Sequence, residues 1–84
     1  MAYHVIVKPS AARELKRLPL ALATRIVAAM TALEHDPRPP GCKKLSGLDA
    51  WRVRVGDYRL VYEIHEREIV IVVLRIAHRK DVYR

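Results

Sequence analysis

The sequence of 84 residues contains a single cysteine, Cys42, which excludes a disulfide framework and a zinc finger within the chain. The four histidines do not follow a zinc-binding spacing. Glycine-rich phosphate loops of the GxGxxG and Walker A types are absent, so no nucleotide-binding loop is predicted. We therefore expect neither a metal nor a cofactor.

Long hydrophobic runs are also missing. The longest one, residues 69–74, is far shorter than the ~20 residues of a membrane-spanning helix. The first residues do not form a signal peptide, because their apolar stretch is short and alternates with polar residues. Together with the single cysteine, this predicts a cytoplasmic protein.

What the sequence does have is apolar residues and positive charge. Hydrophobic residues make up 51% of the chain, which is enough for a modest core in one domain over residues 1–84. Sixteen Lys and Arg against nine Asp and Glu give a formal net charge of +7. Such an excess predicts a polyanionic partner, which could be a nucleic acid, an acidic membrane or an acidic protein.

The hydrophobic pattern predicts the element order β-α-α-β-β-β. Ser10 is a candidate N-cap for the first helix, and Pro19 separates the two helices. The last strand is apolar at both parities and is expected to be central. We predict an α+β fold, with an N-terminal helical hairpin on one face of a four-stranded, mostly antiparallel sheet. The predicted elements are a strand at residues 3–7, helices at 11–18 and 20–33, and strands at 50–55, 58–65 and 68–77.

Gly56 and Asp57 are predicted to form a two-residue hairpin turn, and Glu66 and Arg67 a second turn. Pairing across the first turn places Arg54 opposite Arg59, and directly paired residues share a face. One face of this hairpin is then apolar and belongs against the helices. The other face carries Arg52, Arg54, Arg59, Val61 and Glu63.

Three arginines on one face are unfavourable by ordinary sheet rules, because like charges repel across a strand pair. Such departures are expected mainly at functional sites. Arginine binds phosphate bidentately and stabilises charge that develops on a phosphoryl oxygen. The pattern favours phosphodiester binding and, without an acidic metal-binding cluster, metal-independent chemistry. A solvated basic face, partly neutralised by Asp57 and Glu63, is the alternative.

Residues 43–63, with Gly-Asp-Tyr-Arg-Leu-Val-Tyr at 56–62, and the ending at 77–83 are similar to the RelE/ParE toxin superfamily, on its RelE side. The resemblance covers nearly the whole chain, and the fold of the family has the predicted element order. It implies the toxin of a type II toxin–antitoxin system. It further implies a ribosome-dependent endoribonuclease, an mRNA interferase, that cleaves message in the A site by attack of the ribose 2′-OH, without a metal.

The resemblance also implies a catalytic set. Well-known members often have two lysines where Arg52 and Arg54 stand here, and arginine is a poor base. The base role therefore shifts to Tyr83: a phenol has an ordinary pKa of about 10, and neighbouring arginines favour its ionised form. Arg79 is expected to stabilise the transition-state phosphate or to protonate the leaving oxygen through its hydrogen-bond network. The implied catalytic residues are Arg52, Arg54, Arg59, Arg79 and Tyr83, and the implied RNA- or ribosome-binding residues are Lys43, Lys44, His78, Lys80 and Arg84.

The partners implied by the resemblance are a cognate acidic antitoxin in a hetero-oligomer, mRNA and the 70S ribosome. Operator DNA is expected to be contacted only through the antitoxin, and no membrane partner is expected. Because the sequence stops at Arg84, no further C-terminal helix is expected. Two alternatives remain open: a ParE-like toxin that inhibits gyrase, and a catalytically silent module that binds RNA or antitoxin.

Overall fold

The computed structural model describes residues 2–78, which form two helices and five strands. The helices and the long strands lie close to their predicted positions. The α+β class and the helical hairpin are confirmed, whereas a two-residue strand makes the sheet five-stranded instead of four-stranded. The elements are β1 (His4–Val7), α1 (Pro9–Lys16), α2 (Leu20–Leu33), β2 (Lys43–Lys44), β3 (Trp51–Val55), β4 (Tyr58–His65) and β5 (Val70–His78).

The strands form one sheet in the order β1-β5-β4-β3-β2. Strand β1 pairs parallel with β5, and the remaining neighbours are antiparallel. Strand β5 therefore lies inside the sheet, between the first strand and β4, as its uninterrupted apolar run predicts. The first and the last strand of the described chain are thus paired with each other.

The core lies between the helices and one face of the sheet. Helix α2 buries Ile26, Met30 and Leu33, whose spacing of four and three residues places them on one helical stripe. The sheet face that meets them is apolar, and its most deeply buried residues are Leu60, Tyr62, Ile71, Val73 and Ile76. The opposite face of the sheet is not packed against either helix.

The start of α1 differs from the prediction. Lys8, not Ser10, is the residue that precedes the helix, with extended backbone angles of φ −62° and ψ 149°. Pro9 occupies the first turn, because its ring fixes φ near the helical value and it has no N–H that needs a partner there. Ser10 lies within the helix and is exposed.

The first predicted turn is confirmed, and the second is two residues longer than predicted. Gly56 has φ +60°, and Asp57 is not in the positive-φ region, which is the pattern of a type II′ hairpin turn. The second turn spans four residues, 66–69, and β5 begins at Val70. Ile69 closes this turn with φ +57°, a left-handed conformation that a β-branched residue seldom adopts.

Tyr62 links the core to the proline-rich loop. Its side chain is fully buried, and its hydroxyl donates a hydrogen bond of 2.7 Å to the carbonyl oxygen of Pro37. Burial, reinforced by the neighbouring Cys42, raises the pKa of the Tyr62 phenol above its ordinary value. The phenol is therefore neutral in the folded protein, and its hydrogen bond holds the loop on the sheet.

Replacing Tyr62 with Phe is expected to lower the free energy of unfolding by about 1 kcal/mol, because the Pro37 oxygen loses its donor. Urea denaturation at neutral pH measures this difference. The phenol ionises near pH 10 in the unfolded chain but not in the folded one, so the wild type loses stability as the pH rises above about 10. Tyr62→Phe should lose less stability over that range. Tyr3→Phe is the control. If both variants lose the same free energy of unfolding at neutral pH, the hydrogen bond of Tyr62 does not hold the loop.

Candidate nucleic-acid interface

The hairpin of β3 and β4 places the three predicted arginines together. Arg54 is the direct partner of Arg59, and Arg52 pairs with Val61, which is the register predicted from the turn. Because paired residues share a face, Arg52, Arg54 and Arg59 lie on the side of the sheet opposite the helices. The apolar partners Val53 and Leu60 lie on the helix side.

Strand β2 separates the two predicted lysines. Lys43 pairs with Arg52 and shares its face, whereas Lys44 pairs with Trp51 and lies on the helix side. Only Lys43 therefore extends the arginine cluster. We call Lys43, Arg52, Arg54 and Arg59 the basic surface.

The arginines of the basic surface differ in exposure. Arg54 is exposed, Arg52 is half-buried, and Arg59 is buried with 7% of its surface accessible. Arg52 and Arg59 are both engaged by other groups of the chain. Within residues 2–78, Arg54 takes part in no ion pair. Arg54 is therefore the member whose guanidinium is most available to an incoming anion.

His78 ends β5 on the other face. It is the strand partner of Tyr58, and the two rings meet edge to face with centroids 5.4 Å apart. Tyr58 packs against the apolar core, so His78 is half-buried on the helix side and not beside Arg59. The remaining residues of the predicted site, Arg79, Lys80, Tyr83 and Arg84, lie outside the described residues.

A β-bulge in β5 decides which residue stands beside Arg59. Tyr62 pairs with Val73 and Val61 with Arg75, so Leu74 has no direct partner. Without the extra residue, Arg59 would face Ile76, and Arg75 would be directed into the core opposite Leu60. With the bulge, the small Ala77 faces Arg59, and Ile76 enters the core at 2% exposure.

Glu14 of α1 holds the strand just beyond this bulge. One carboxylate oxygen accepts a hydrogen bond of 2.8 Å from the backbone N–H of Ile76, and the other lies 3.2 Å from the Arg75 guanidinium. Strand β1 ends at Val7, which pairs with Val73, so the helix carboxylate takes the place of a neighbouring strand at Ile76. Sequence reasoning missed Glu14, because nothing in the helix marks a partner about sixty residues away.

Glu14→Ala is expected to lower the free energy of unfolding by about 2 kcal/mol, because a partly buried N–H loses a charged acceptor. Glu14→Gln keeps an oxygen acceptor and should lose about half as much. Urea denaturation gives the global effect, and hydrogen exchange of the Ile76 amide gives the local one. Arg75→Gln is the control: it removes an exposed ion pair but keeps the bond to Ile76. Unchanged exchange at Ile76 in Glu14→Ala would show that the carboxylate does not hold the strand.

We call the side of the sheet opposite the helices the open face; it carries the basic surface, Val61 and Glu63. Acidic and basic residues occupy different halves of this face along the strands. Towards the residue 66–69 turn, this face carries Glu63, which lies 2.9 Å from His65 Nε2. The basic surface occupies the half towards Gly56, two to four residues further along the paired strands. An extended polyanion is therefore attracted to one half of the face and not to the other.

The basic surface has the chemistry of a phosphate site. Guanidinium groups donate paired hydrogen bonds to phosphate oxygens and do not accept protons at working pH. They can bind and stabilise a phosphodiester, but they cannot activate a hydroxyl. In residues 2–78, no three His, Cys, Asp or Glu side chains are grouped to hold a metal ion. Neither described helix is long and apolar enough to span a membrane.

The fold and the open face thus define a small α+β protein with arginines on one side of its sheet. A family model described as the ParE toxin of type II toxin–antitoxin systems matches residues 5–83. Toxin RelG of Mycobacterium tuberculosis is 34% identical over all of this chain and 99% of its own length. Toxin RelE of the same organism is 36% identical over 98% of this chain and 87% of its own.

Solved structures agree with these sequence matches. The archaeal RelE–RelB complex from Pyrococcus horikoshii contains a chain with a TM-score of 0.86 and 31% identity, covering 98% of this chain and 100% of that one. A mutant of Escherichia coli RelE in the free state has a TM-score of 0.83 at 22% identity, covers 98% of this chain and 88% of its own, and supports the fold.

The chain therefore belongs to the ParE toxin family of type II toxin–antitoxin systems, within the RelE/ParE superfamily. Its named relatives are RelE-type toxins, so the resemblance seen in the sequence is confirmed.

Proposed function

We propose that this toxin is a ribosome-dependent endoribonuclease of the cytoplasm that cleaves mRNA in the A site. The observation that supports this most is the basic surface on the helix-free side of the sheet. Arg52, Arg54 and Arg59 converge there from paired strands, although like charges in such positions destabilise a sheet. Their cost to stability is understandable if they bind the phosphates of a message.

The proposed reaction is an in-line transesterification without a metal. The ribose 2′-oxygen attacks the adjacent phosphorus while Tyr83 takes the 2′-OH proton. The bond from phosphorus to the 5′-oxygen breaks, which leaves a 2′,3′-cyclic phosphate and a 5′-hydroxyl. That leaving oxygen takes a proton from solvent through the hydrogen-bond network of Arg79, which also stabilises the phosphate charge.

The basic surface has a binding role in this scheme. Arg52 and Arg54 hold phosphates on either side of the cleaved bond. The buried Arg59 holds the RNA segment between these two phosphates in place. Lys43 extends the binding surface along β2. Lys44 and His78 lie on the helix side and would meet RNA only where the ribosome surrounds the domain. Lys80 and Arg84 keep their proposed RNA-binding role.

We also propose an acidic antitoxin as the resident partner. Similar chains from Pyrococcus horikoshii and Mycobacterium tuberculosis were solved in toxin–antitoxin complexes. The net charge of +7 fits an acidic chain that covers this protein in a hetero-oligomer. Contact with operator DNA would then come through the antitoxin.

Primer extension on a translated message tests the proposed activity after expression of the full chain in growing cells. Cuts in phase with codons are expected. A matched message without a start codon should remain intact, because the activity depends on the ribosome. DNA breaks without message cuts would indicate gyrase inhibition instead, and neither effect would indicate a silent binding module.

A further inference from the structure

Arg25 of α2 lies against the turn that ends the basic surface. Its guanidinium Nη1 is 3.5 Å from the position that a Cβ would take on Gly56. Gly56 has no side chain there, so the arginine rests beside the backbone of the turn. Arg54 stands two residues before Gly56 and faces the other side of the sheet. Positive charge therefore flanks the turn on both sides.

The charge of Arg25 is not neutralised within residues 2–78. The side chain is exposed and takes part in no ion pair in this part of the chain. Asp57 is next to Gly56, yet it forms no ion pair with Arg25. A guanidinium held near a turn, exposed and without a carboxylate partner, can accept a phosphate without first breaking an internal bond.

The distribution of acidic residues favours the same end of the molecule. Glu63, Glu66 and Glu68 lie around the opposite end of β4, and Glu34 follows the far end of α2. These carboxylates offset Arg38 and Arg67 at that end, so a polyanion that binds the open face is attracted more strongly towards the Gly56 end. Near Gly56, Arg25 adds a cation beside the β3–β4 turn.

We propose that Arg25 binds an RNA phosphate, so that the RNA-binding surface continues from the sheet around the β3–β4 turn onto α2. This rests on the proposed function and adds to it a binding residue outside the implied catalytic set. The ligand chemistry is the phosphodiester backbone, which either the message or the ribosomal RNA can supply.

Binding of the full chain to a short, single-stranded 2′-O-methyl RNA and to 70S ribosomes with a vacant A site tests this proposal. Methylation removes the attacking hydroxyl, so binding is measured without cleavage. Arg25→Gln should weaken binding about five-fold and reduce the slope of log K against log salt by about 0.7, the value of one phosphate contact on a single strand. Arg67→Gln, an exposed arginine in the distant turn, is the matched control and should change neither quantity.

Weaker binding of Arg25→Gln to the free RNA supports a contact with the message, and weaker binding to ribosomes alone supports a contact with ribosomal RNA. If Arg54→Gln weakens binding while Arg25→Gln behaves like Arg67→Gln, the inference fails and the proposed function stands. If neither variant changes binding, both the inference about Arg25 and the proposed function fail. Weaker binding of Arg25→Gln to polyglutamate alone would assign Arg25 to an acidic protein and overturn the proposal. Unchanged thermal unfolding of each variant shows that the fold is intact.

Discussion

Arg54→Gln is expected to slow cleavage of translated mRNA on the order of 100-fold, because a phosphate beside the cleaved bond loses the group that positions it. The reason is the position of Arg54: it is exposed on the open face, opposite Arg59, with no ion pair in the described part of the chain. Its removal therefore takes away a ligand contact and breaks no ion pair within residues 2–78. The rate of message cleavage on programmed ribosomes measures the effect.

Two companion variants sharpen this prediction. Arg54→Lys keeps the charge and loses the paired geometry, so it should fall between the wild type and Arg54→Gln. Arg67→Gln removes one positive charge at the other end of the sheet and should cleave at the wild-type rate. An equal loss in Arg54→Gln and Arg67→Gln would mean that net charge, and not the basic surface, controls cleavage.

Tyr83→Phe is expected to reduce the cleavage rate by about 10²- to 10⁴-fold, the contribution of a general base. Guanidinium groups cannot take the 2′-OH proton, so in the proposed mechanism the phenol carries this step. Single-turnover cleavage on programmed ribosomes separates the chemical step from binding. Binding of the 2′-O-methyl RNA should stay within about two-fold of the wild type, because the phenyl ring is retained.

Tyr3→Phe is the control for loss of a phenol elsewhere, and it should cleave normally. A Tyr83→Phe variant that cuts as fast as the wild type would remove Tyr83 from the base role. The basic surface would keep its proposed binding role, since that rests on the strand register and not on the tail.

The hairpin was predictable because one local feature determines its register. A two-residue turn with Gly56 in the first central position leaves a single pairing for Arg54 and Arg59, and the alternation of apolar residues selects the face. The same logic failed at the next turn. Glu66 and Arg67 give no equivalent signal, and the turn takes in Glu68 and Ile69 as well.

The environment of Arg59 was not predictable in this way. Residues 69–74 are apolar at both parities, so the pattern before Arg75 does not show that Leu74 is the extra residue. The bulge satisfies two requirements that act across the fold: Arg75 must stay out of the core, and Ile76 must enter it. The strand beyond the bulge is held by Glu14, which accepts a hydrogen bond from the Ile76 N–H. Helix periodicity does not show which strand such a carboxylate will contact.

The separation of Lys43 from Lys44 had a similar cause. Adjacent residues of a strand point to opposite faces, but a two-residue strand has too short a pattern to be recognised from sequence. Once β2 pairs with β3, only Lys43 joins the basic surface. The position of His78 on the helix side likewise results from the shifted register of β5, which pairs His78 with Tyr58.

The parallel pairing of β1 with β5 has a consequence for synthesis of the protein. The first strand needs the last one as its neighbour, and β5 also joins β1 to the rest of the sheet. A nascent chain can form the helical hairpin and the β3–β4 hairpin early, since those contacts are local in sequence. It cannot close the sheet until β5 has left the ribosome that makes it. If the toxin acts on ribosomes as proposed, the ribosome translating it is spared until β5 has been made.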